Sequence, residues 1–362
     1  MTAIVLAEAH LELADYAEAT THLQNAAGSV AGLYIPLIYF NAGLVAAEIA
    51  RRSLSQPQFI AALRNAFSIG AEHRYANMYH GAARLLPSLV PYALEFGVEV
   101  EYCRWLIEVR NLRPPAHEVP DWPWPVRVRT FGLFQVQVDD KPLEGRGKAQ
   151  RKPWELLKAI LIQRIGVDVG SLLEQVWPDL DGDAARNAFD LNLHRLRKLL
   201  RHKDAIILSQ GRVIINQQLV WVDTCAFDTL VTTAERADDP VAHFRRLLRV
   251  YQGAFLTDDD APWMIPMRSR LRAQFSRSIR SLSESLRKQS QWETLADLLQ
   301  ATLEVEPQEE VFYRDLMQAL LTLGRGAEAI TVYRRCEENL TRLLGAMPSP
   351  ATRGLLPFQS KV

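Results

Sequence analysis

The chain has 362 residues, 48% of them hydrophobic, with 42 basic and 42 acidic side chains. That length suggests two or three domains, and the apolar fraction excludes a wholly disordered chain. With a net charge of zero, affinity for a polyanion has to come from charge segregated along the sequence.

Cys103, Cys225 and Cys336 lie far apart and form no Cys-x-x-Cys pair. They read as free thiols in a reducing compartment, not as a disulfide framework or a zinc site. The most apolar run, "AGLYIPLIYFNAGLVAAEIA", is interrupted by Pro36 and Asn41 and reads as two packed helix segments, not a membrane span. No basic region precedes an apolar block at the N-terminus, so no secretion signal is expected. These features predict a cytoplasmic protein with no membrane partner.

Residues 1–113 read as successive helices. "AEAHLELADYAEATTHLQNA" places Ala9, Leu13, Tyr16, Ala19, Leu23 and Ala26 at spacings of three and four, with a bend at Asp15 and Tyr16. A second pair follows in "NAGLVAAEIARRSLSQPQFIAALRNAFSIGAEH", turning at "SLSQPQ". The pattern resembles a tetratricopeptide repeat, in which each helix pair buries its face only by stacking on neighbours. Residues 114–125 hold Pro114, Pro115, Pro120, Pro123 and Pro125. Proline blocks helix continuation and removes backbone donors, so this segment is read as a linker.

Beyond it the period changes to two. "VRVRTFGLFQVQVDD" predicts a hairpin turning near Phe131 and Gly132. "PWELLKAILIQR" predicts a helix opening at Pro153 and burying Leu156, Leu157, Ile160 and Leu161. "DVGSLLEQVW" predicts a second helix capped by Asp168 and ending at Trp177 and Pro178. "DAARNAFDLNLHRLRKLLRHK" predicts a third, capped by Asp181 or Asp183, and "AIILSQGRVIINQQLVWVD" two strands around Gln210 and Gly211. Strands, three helices and a closing hairpin over 126–222 are the parts of a winged helix-turn-helix. Residues 223–347 read as helical again, with breaks at Pro307 and at "LGRGAEA". The prolines of 348–362 predict a frayed tail.

The third helix stretch carries six basic side chains, Arg186, Arg195, Arg197, Lys198, Arg201 and Lys203, against one internal acid, Asp190. At about 100° per residue, Phe189, Leu193, Leu196 and Leu200 share one arc and must face the core. Opposite lie Asn187, Leu191, His194 and Lys198, flanked by Arg195 on one side and by Asp190 and Arg201 on the other. An α-helix fits the major groove of B-DNA, where Arg and Lys reach guanine, Asn pairs with adenine and an apolar group meets the thymine methyl. Residues 126–222 hold 16 Lys/Arg against 11 Asp/Glu, a net of +5, so the flanking parts carry −5. Segregation of that kind suits phosphate binding. Arg212 follows the hairpin glycine and is read as reaching a minor groove or a phosphate. "RGKAQRK", Arg146 to Lys152, lies at the amino end of the first helix, where Lys152 is read as a phosphate contact. The candidate DNA-binding set is Arg186, Asn187, Asp190, Leu191, His194, Arg195, Lys198, Arg201, Arg212 and Lys152.

At these residues the sequence resembles a known family. "VRVRTFGLFQVQVDDKPL", "RKPWELLKAILI", "LLEQVW", "ARNAFDLNLHRLRKLL" and "GRVIIN" are similar to the OmpR-type winged-helix domain, in the version found in Streptomyces antibiotic regulatory proteins (SARP). "VDTCAFDTLVTTAERA", "YQGAFLTDDDAPWMIPMRSRL" and "LGRGAEAITVYRRCEENLTRLLG" resemble the bacterial transcriptional activation domain that follows it in that family. The resemblance covers about Val126 to Thr352. Residues 1–113 look like the final repeats of MalT/LuxR-type regulators. It implies a mainly α protein in which tetratricopeptide-like repeats flank a central α/β winged helix-turn-helix. The implied function is a transcriptional activator that binds direct repeats in double-stranded DNA and recruits RNA polymerase. The third helix would be the recognition helix and Gln210 to Arg212 the wing tip. Two features depart from the family: Leu191 stands where a polar residue is usual, and "GRVIINQQLVW" lacks the Gly-Tyr common in the wing.

MalT-like regulators carry a nucleotide-binding domain ahead of the repeats. "EGRGKAQRK" is not a P-loop, because Ala149 stands where the magnesium-binding Ser/Thr belongs and the first glycine is misplaced. The chain is therefore expected to be the C-terminal part of a larger regulator whose N-terminal ATPase or sensor region is missing here. The eight histidines form no metal-spaced pair and there is no Gly-x-Ser-x-Gly elbow, so no catalytic site, cofactor or metal is expected. Asp179 with "DGD" at 181–183 lacks the twelfth-position Glu of a calcium loop. The competing reading is a protein-interaction scaffold whose winged helix no longer binds DNA specifically.

Overall fold

The computed structural model describes residues 2–29, 35–53, 56–78, 81–115, 119–143, 151–163, 166–237 and 239–356. The protein is mainly α with a small sheet region, and divides into two compact units, Met1–Trp124 and Pro125–Val362.

The first unit contains α1 (Thr2–Glu12), α2 (Tyr16–Ser29), α3 (Pro36–Ser53) and α4 (Gln56–Glu72). A 3₁₀ turn at Ala82–Leu85 then runs into α5 (Leu86–Glu95), and α6 (Val100–Val109) follows. Consecutive helices pack on one another, α1 on α2 and α3 on α4. The α1–α2 bend is built by Ala14 in the left-handed region (φ +58°) and by Asp15, whose carboxylate accepts from the Glu18 N–H at 3.2 Å. The buried face of α1 is Ile4, Ala7 and Leu11, not the expected Ala9 and Leu13. The helix ends at Glu12, so Leu13 falls in the bend and is 76% exposed. The expected break at Asn41 is absent too. Pro36 opens α3, where its missing N–H costs nothing, and Asn41 is buried inside the helix with its amide donating to Leu37 O at 2.6 Å. Gly43 lets α3 and α4 approach closely, since a Cβ there would stand 3.0 Å from that of Ala66. Within the proline-rich segment Trp122 and Trp124 are both buried, and the Trp124 indole donates to Val119 O at 2.9 Å. Its described part is therefore packed, and the division between the two units falls within it, after Trp124.

In the second unit β1 (Val126–Arg129), β2 (Gln135–Val138) and β3 (Lys141–Pro142) form a meander. Next come α7 (Arg151–Leu161), β4 (Val167–Asp168), α8 (Val169–Val176) and α9 (Gly182–Leu199), then β5 (Ile206–Ser209), β6 (Arg212–Ile215) and β7 (Val220–Val222). The sequence reading did not separate β7 from the closing hairpin. It pairs in parallel with β1, Val126 opposite Val220 and Val128 opposite Val222, and completes a sheet of order β3-β2-β1-β7. The second sheet, β4-β6-β5, holds the hairpin. Alternate residues of both sheets and the inner faces of α7, α8 and α9 enclose one core, including Val126, Val128, Leu156, Leu172, Phe189, Leu196 and Val213. α7 begins at Arg151, two residues before the expected Pro153.

The chain runs from β7 directly into α10 (Asp223–Thr233), followed by α11 (Pro240–Val250), α12 (Ile265–Lys288), α13 (Trp292–Val305), α14 (Glu310–Thr322), α15 (Gly326–Leu344) and α16 (Pro350–Arg353). The tail through Leu356 is ordered against α14, contrary to the expected fraying. Ser349 caps α16. The Glu310 carboxylate accepts from Ser349 N at 2.7 Å and from the Thr352 hydroxyl at 2.6 Å. Those two bonds outweigh the effect of burial and hold the Glu310 carboxyl below its ordinary pKa.

Candidate nucleic-acid interface

α9 presents the candidate residues. Its N-cap is Asp181, whose carboxylate accepts from Ala184 N at 2.8 Å, while Asp183 lies in the first turn. Ala185, Phe189, Leu193, Leu196 and Leu200 are buried, and Trp177 meets the Phe189 ring edge-on. That anchoring leaves Arg186, Asn187, Asp190, Leu191, His194, Arg195, Lys198 and Arg201 exposed together. Leu191 is 49% exposed. Arg186 Nε lies 3.1 Å from Asp190 Oδ2, so Asp190 orients this arginine, which also stacks over Phe189. Among the described residues Arg195, Lys198 and Arg201 make no ion pair.

Not every cation of α9 faces outward. Arg197 donates through Nε and Nη2 to Ile206 O at 3.0 and 2.8 Å, tying the helix to β5. At the hairpin tip Gln210 (φ +49°) and Gly211 (φ +75°) both occupy the left-handed region, as a two-residue type I′ turn requires. Arg212 is held beside it by donation from Nη2 to Gly166 O at 2.8 Å. Lys152 is engaged elsewhere. Its ammonium lies 2.8 Å from Glu155 Oε2 and donates to Val176 O at 3.0 Å, fastening the start of α7 to the end of α8. Residues 146–150 of "RGKAQRK" lie outside the described residues.

Sequence reasoning missed the junction that holds this block to the helices after it. Asp223, the first residue of α10, is fully buried. It accepts from Thr130 N at 2.5 Å, the Thr130 hydroxyl at 2.6 Å, and Phe131 N and Thr224 N at 2.8 Å each. Burial outweighs these bonds and pushes its carboxyl up to about 6. Beside it Leu256 N donates to Thr130 O and Gly132 N to Ala254 O, and Phe131 stacks among Phe227 and Tyr251. Gly132 sits at φ +74°, and a Cβ at this position would stand 3.2 Å from Gln252 O. Lys158 of α7 pairs with Asp259 at 2.8 Å. The sequence reading gave Asp223 no role beyond placing it where the chain turns helical again.

Among the described residues no three His, Cys, Asp or Glu side chains are grouped to hold a metal. No described helix is long and apolar enough to cross a membrane.

Residues 222–356, from the end of β7 through α16, match the bacterial transcriptional activator domain family. Among solved structures, Mycobacterium tuberculosis EmbR in complex with a low-affinity phosphopeptide is 22% identical, with a TM-score of 0.46. The match covers 64% of this chain and spans 64% of that one. The tetratricopeptide domain of P58(IPK) is 12% identical over 98% of this chain and 95% of its own, with a TM-score of 0.21. No curated protein sequence matches the chain.

Proposed function

We propose that the protein is a sequence-specific DNA-binding transcriptional activator of the SARP type, with residues 126–222 as a winged helix-turn-helix and α9 as its recognition helix. The observation that carries this reading is the exposed face of α9. Three cations with no acidic partner among the described residues stand beside Asn187, His194 and Leu191 on a helix whose opposite face is locked into a core. A helix held this way projects its outer side chains at fixed positions, as base readout in a major groove requires. The activator-domain match at 222–356 supports the regulatory role. Recruitment of RNA polymerase and binding of direct repeats belong to the same proposal. Lys152 serves here in fastening α7 to α8, and the groove contacts come from Arg186 to Arg201.

The test is selection of duplexes from a randomised DNA pool at about physiological salt, where non-specific phosphate binding is weak. The expected outcome is an enriched pair of direct repeats about one helical turn apart. Arg195→Ala with Lys198→Ala lowers affinity for that site by about 100-fold, at about 1–3 kcal/mol for each groove contact, with circular dichroism unchanged. Unaltered affinity refutes the recognition-helix assignment. Binding without enrichment that vanishes as salt rises leaves the interaction scaffold instead.

A further inference from the structure

α12 is more basic than α9, with seven Lys/Arg against one acid where α9 has four against two. Residues 223–356 as a whole hold 17 Lys/Arg against 19 Asp/Glu, so positive charge is gathered on this helix and withdrawn from the others. The structure sorts these cations into two sets. Arg268 donates to the carbonyls of Phe255, Leu256 and Asp259. Arg272 pairs with Glu306 and Glu309, and Arg287 with Asp315. Those three hold α12 in place. Arg270, Arg277, Arg280 and Lys288 are exposed, and among the described residues none of them forms an ion pair. Arg270 directs Nη2 at the Met267 sulfur of its own helix.

At about 100° per residue, Arg270, Arg277 and Lys288 share one line along the helix, with Arg280 at its side. The line is about 27 Å long at a rise of about 1.5 Å per residue. A solvated helix face interleaves acids with its bases. Here the one acid, Glu284, stands four residues from both Arg280 and Lys288 and forms no ion pair with either. Like charges a turn apart repel and cost helix stability, so this line suits an anionic partner. Its place in the fold says which. Arg270 lines the same cleft as Arg212, the first residue of β6 beside the hairpin tip, so the line starts on the wing side of the unit. A duplex carries one phosphate charge per about 1.7 Å of its axis, a continuous anionic surface as long as the line. We propose that the exposed face of α12 grips the DNA backbone outside the base pairs that α9 reads. The inference rests on the DNA-binding reading above and adds to it a contact that carries charge and no sequence information.

The test measures binding of the full chain, as salt is raised, to the selected site with its flanks and to an unrelated duplex of equal length. Arg270→Gln with Arg277→Gln and Arg280→Gln is expected to lower affinity for both duplexes by a similar factor, about tenfold or more, and to reduce the salt slope by about three. Preference for the selected site is retained, because the lost contacts meet phosphates and not bases. In the α9 double variant that preference is what falls. Trimming the flanks from the selected site weakens wild type and leaves the triple variant unchanged. Lysine at the same three positions restores the slope, since charge is what the contact needs. A thermal midpoint equal to that of wild type shows that the glutamine variant is folded. If it does not fold, Arg277→Gln with Arg280→Gln decides, with a slope smaller by about two. Equal slopes in wild type and the folded variant overturn the proposal and leave the α9 assignment standing. Loss of polyglutamate binding at an unaltered duplex slope assigns the face to an acidic protein segment, and overturns it too. If wild type binds neither duplex, the DNA-binding reading itself fails, and this inference with it.

Discussion

Asp223 shows how much one side chain can determine. Four donors converge on a carboxylate with no water contact, and the cost of burying its charge still wins, raising the carboxyl from 3.8 to about 6. For an acid raised on folding, the neutral form contributes stability fully present below the unfolded value and lost as pH rises through the folded one. The window therefore runs from about pH 4 to about pH 6, and the contribution amounts to about 3 kcal/mol. Urea midpoints across this window should fall with rising pH in wild type, and the fall should flatten in Asp223→Asn. An equal slope in both proteins would assign the effect to another group. Asp223→Ala, which leaves the Thr130 and Phe131 N–H groups and the Thr130 hydroxyl without their acceptor, should cost about 3 kcal/mol or more. This residue was illegible in the sequence because three of its four bonds reach across to the end of β1, a contact that no local pattern encodes. Arg197 is illegible for a related reason. It sits between the core arc and the outer face of α9, and only the position of β5 decides that its guanidinium turns inward to Ile206 O.

Elements with local signals were readable, and the cap of α9 tests how finely. The sequence offers two aspartates, Asp181 and Asp183, and periodicity cannot choose between them. The structure selects Asp181, extended at ψ 166° with its carboxylate on Ala184 N, and places Asp183 in the first turn, near the positive end of the helix dipole. Asp181→Ala should therefore cost about 1 kcal/mol through a lost cap bond. Asp183→Ala should cost only a few tenths, the weak dipole contribution at an exposed site. Denaturant unfolding of the two variants in parallel checks this, and equal losses would show that the cap is shared. The Asp168 cap of α8 and the Gln210–Gly211 turn were legible for the same reason, because each is written in adjacent residues. The pairing of β7 with β1 was not, since its two strands lie at opposite ends of the block. The ordered tail left a signal that went unread. Ser349 before Pro350 is a cap followed by a first-turn proline, and proline content alone suggested the opposite.

At the scale of the molecule, the sequence suggests a boundary between 222 and 223, and the structure makes residues 125–356 continuous there. β7 belongs to the sheet, Asp223 binds the end of β1, Phe131 bridges to Phe255, and Lys158 pairs with Asp259. The last pair is mostly buried on both sides, so breaking it leaves one charge unpaired inside the unit. Two blocks joined by a buried carboxylate, backbone bonds and an aromatic cluster cannot unfold one at a time without exposing that cluster and orphaning its donors. Residues 125–356 should therefore unfold as one cooperative transition. Leu196→Ala in α9 and Leu299→Ala in α13 remove fully buried side chains from opposite sides of the junction, each at about 2–5 kcal/mol. Each substitution should lower the denaturation midpoint of both blocks together. Two probes would report this, hydrogen exchange at β5–β6 amides for one block and at α14 amides for the other. If Leu299→Ala accelerates exchange in α14 and leaves β5–β6 protected, the junction is not cooperative. A shared shift would mean that an event in the activator-domain helices changes the stability of the hairpin beside α9. That coupling is what the activator proposed above would need for its helical part to influence the outer face of α9.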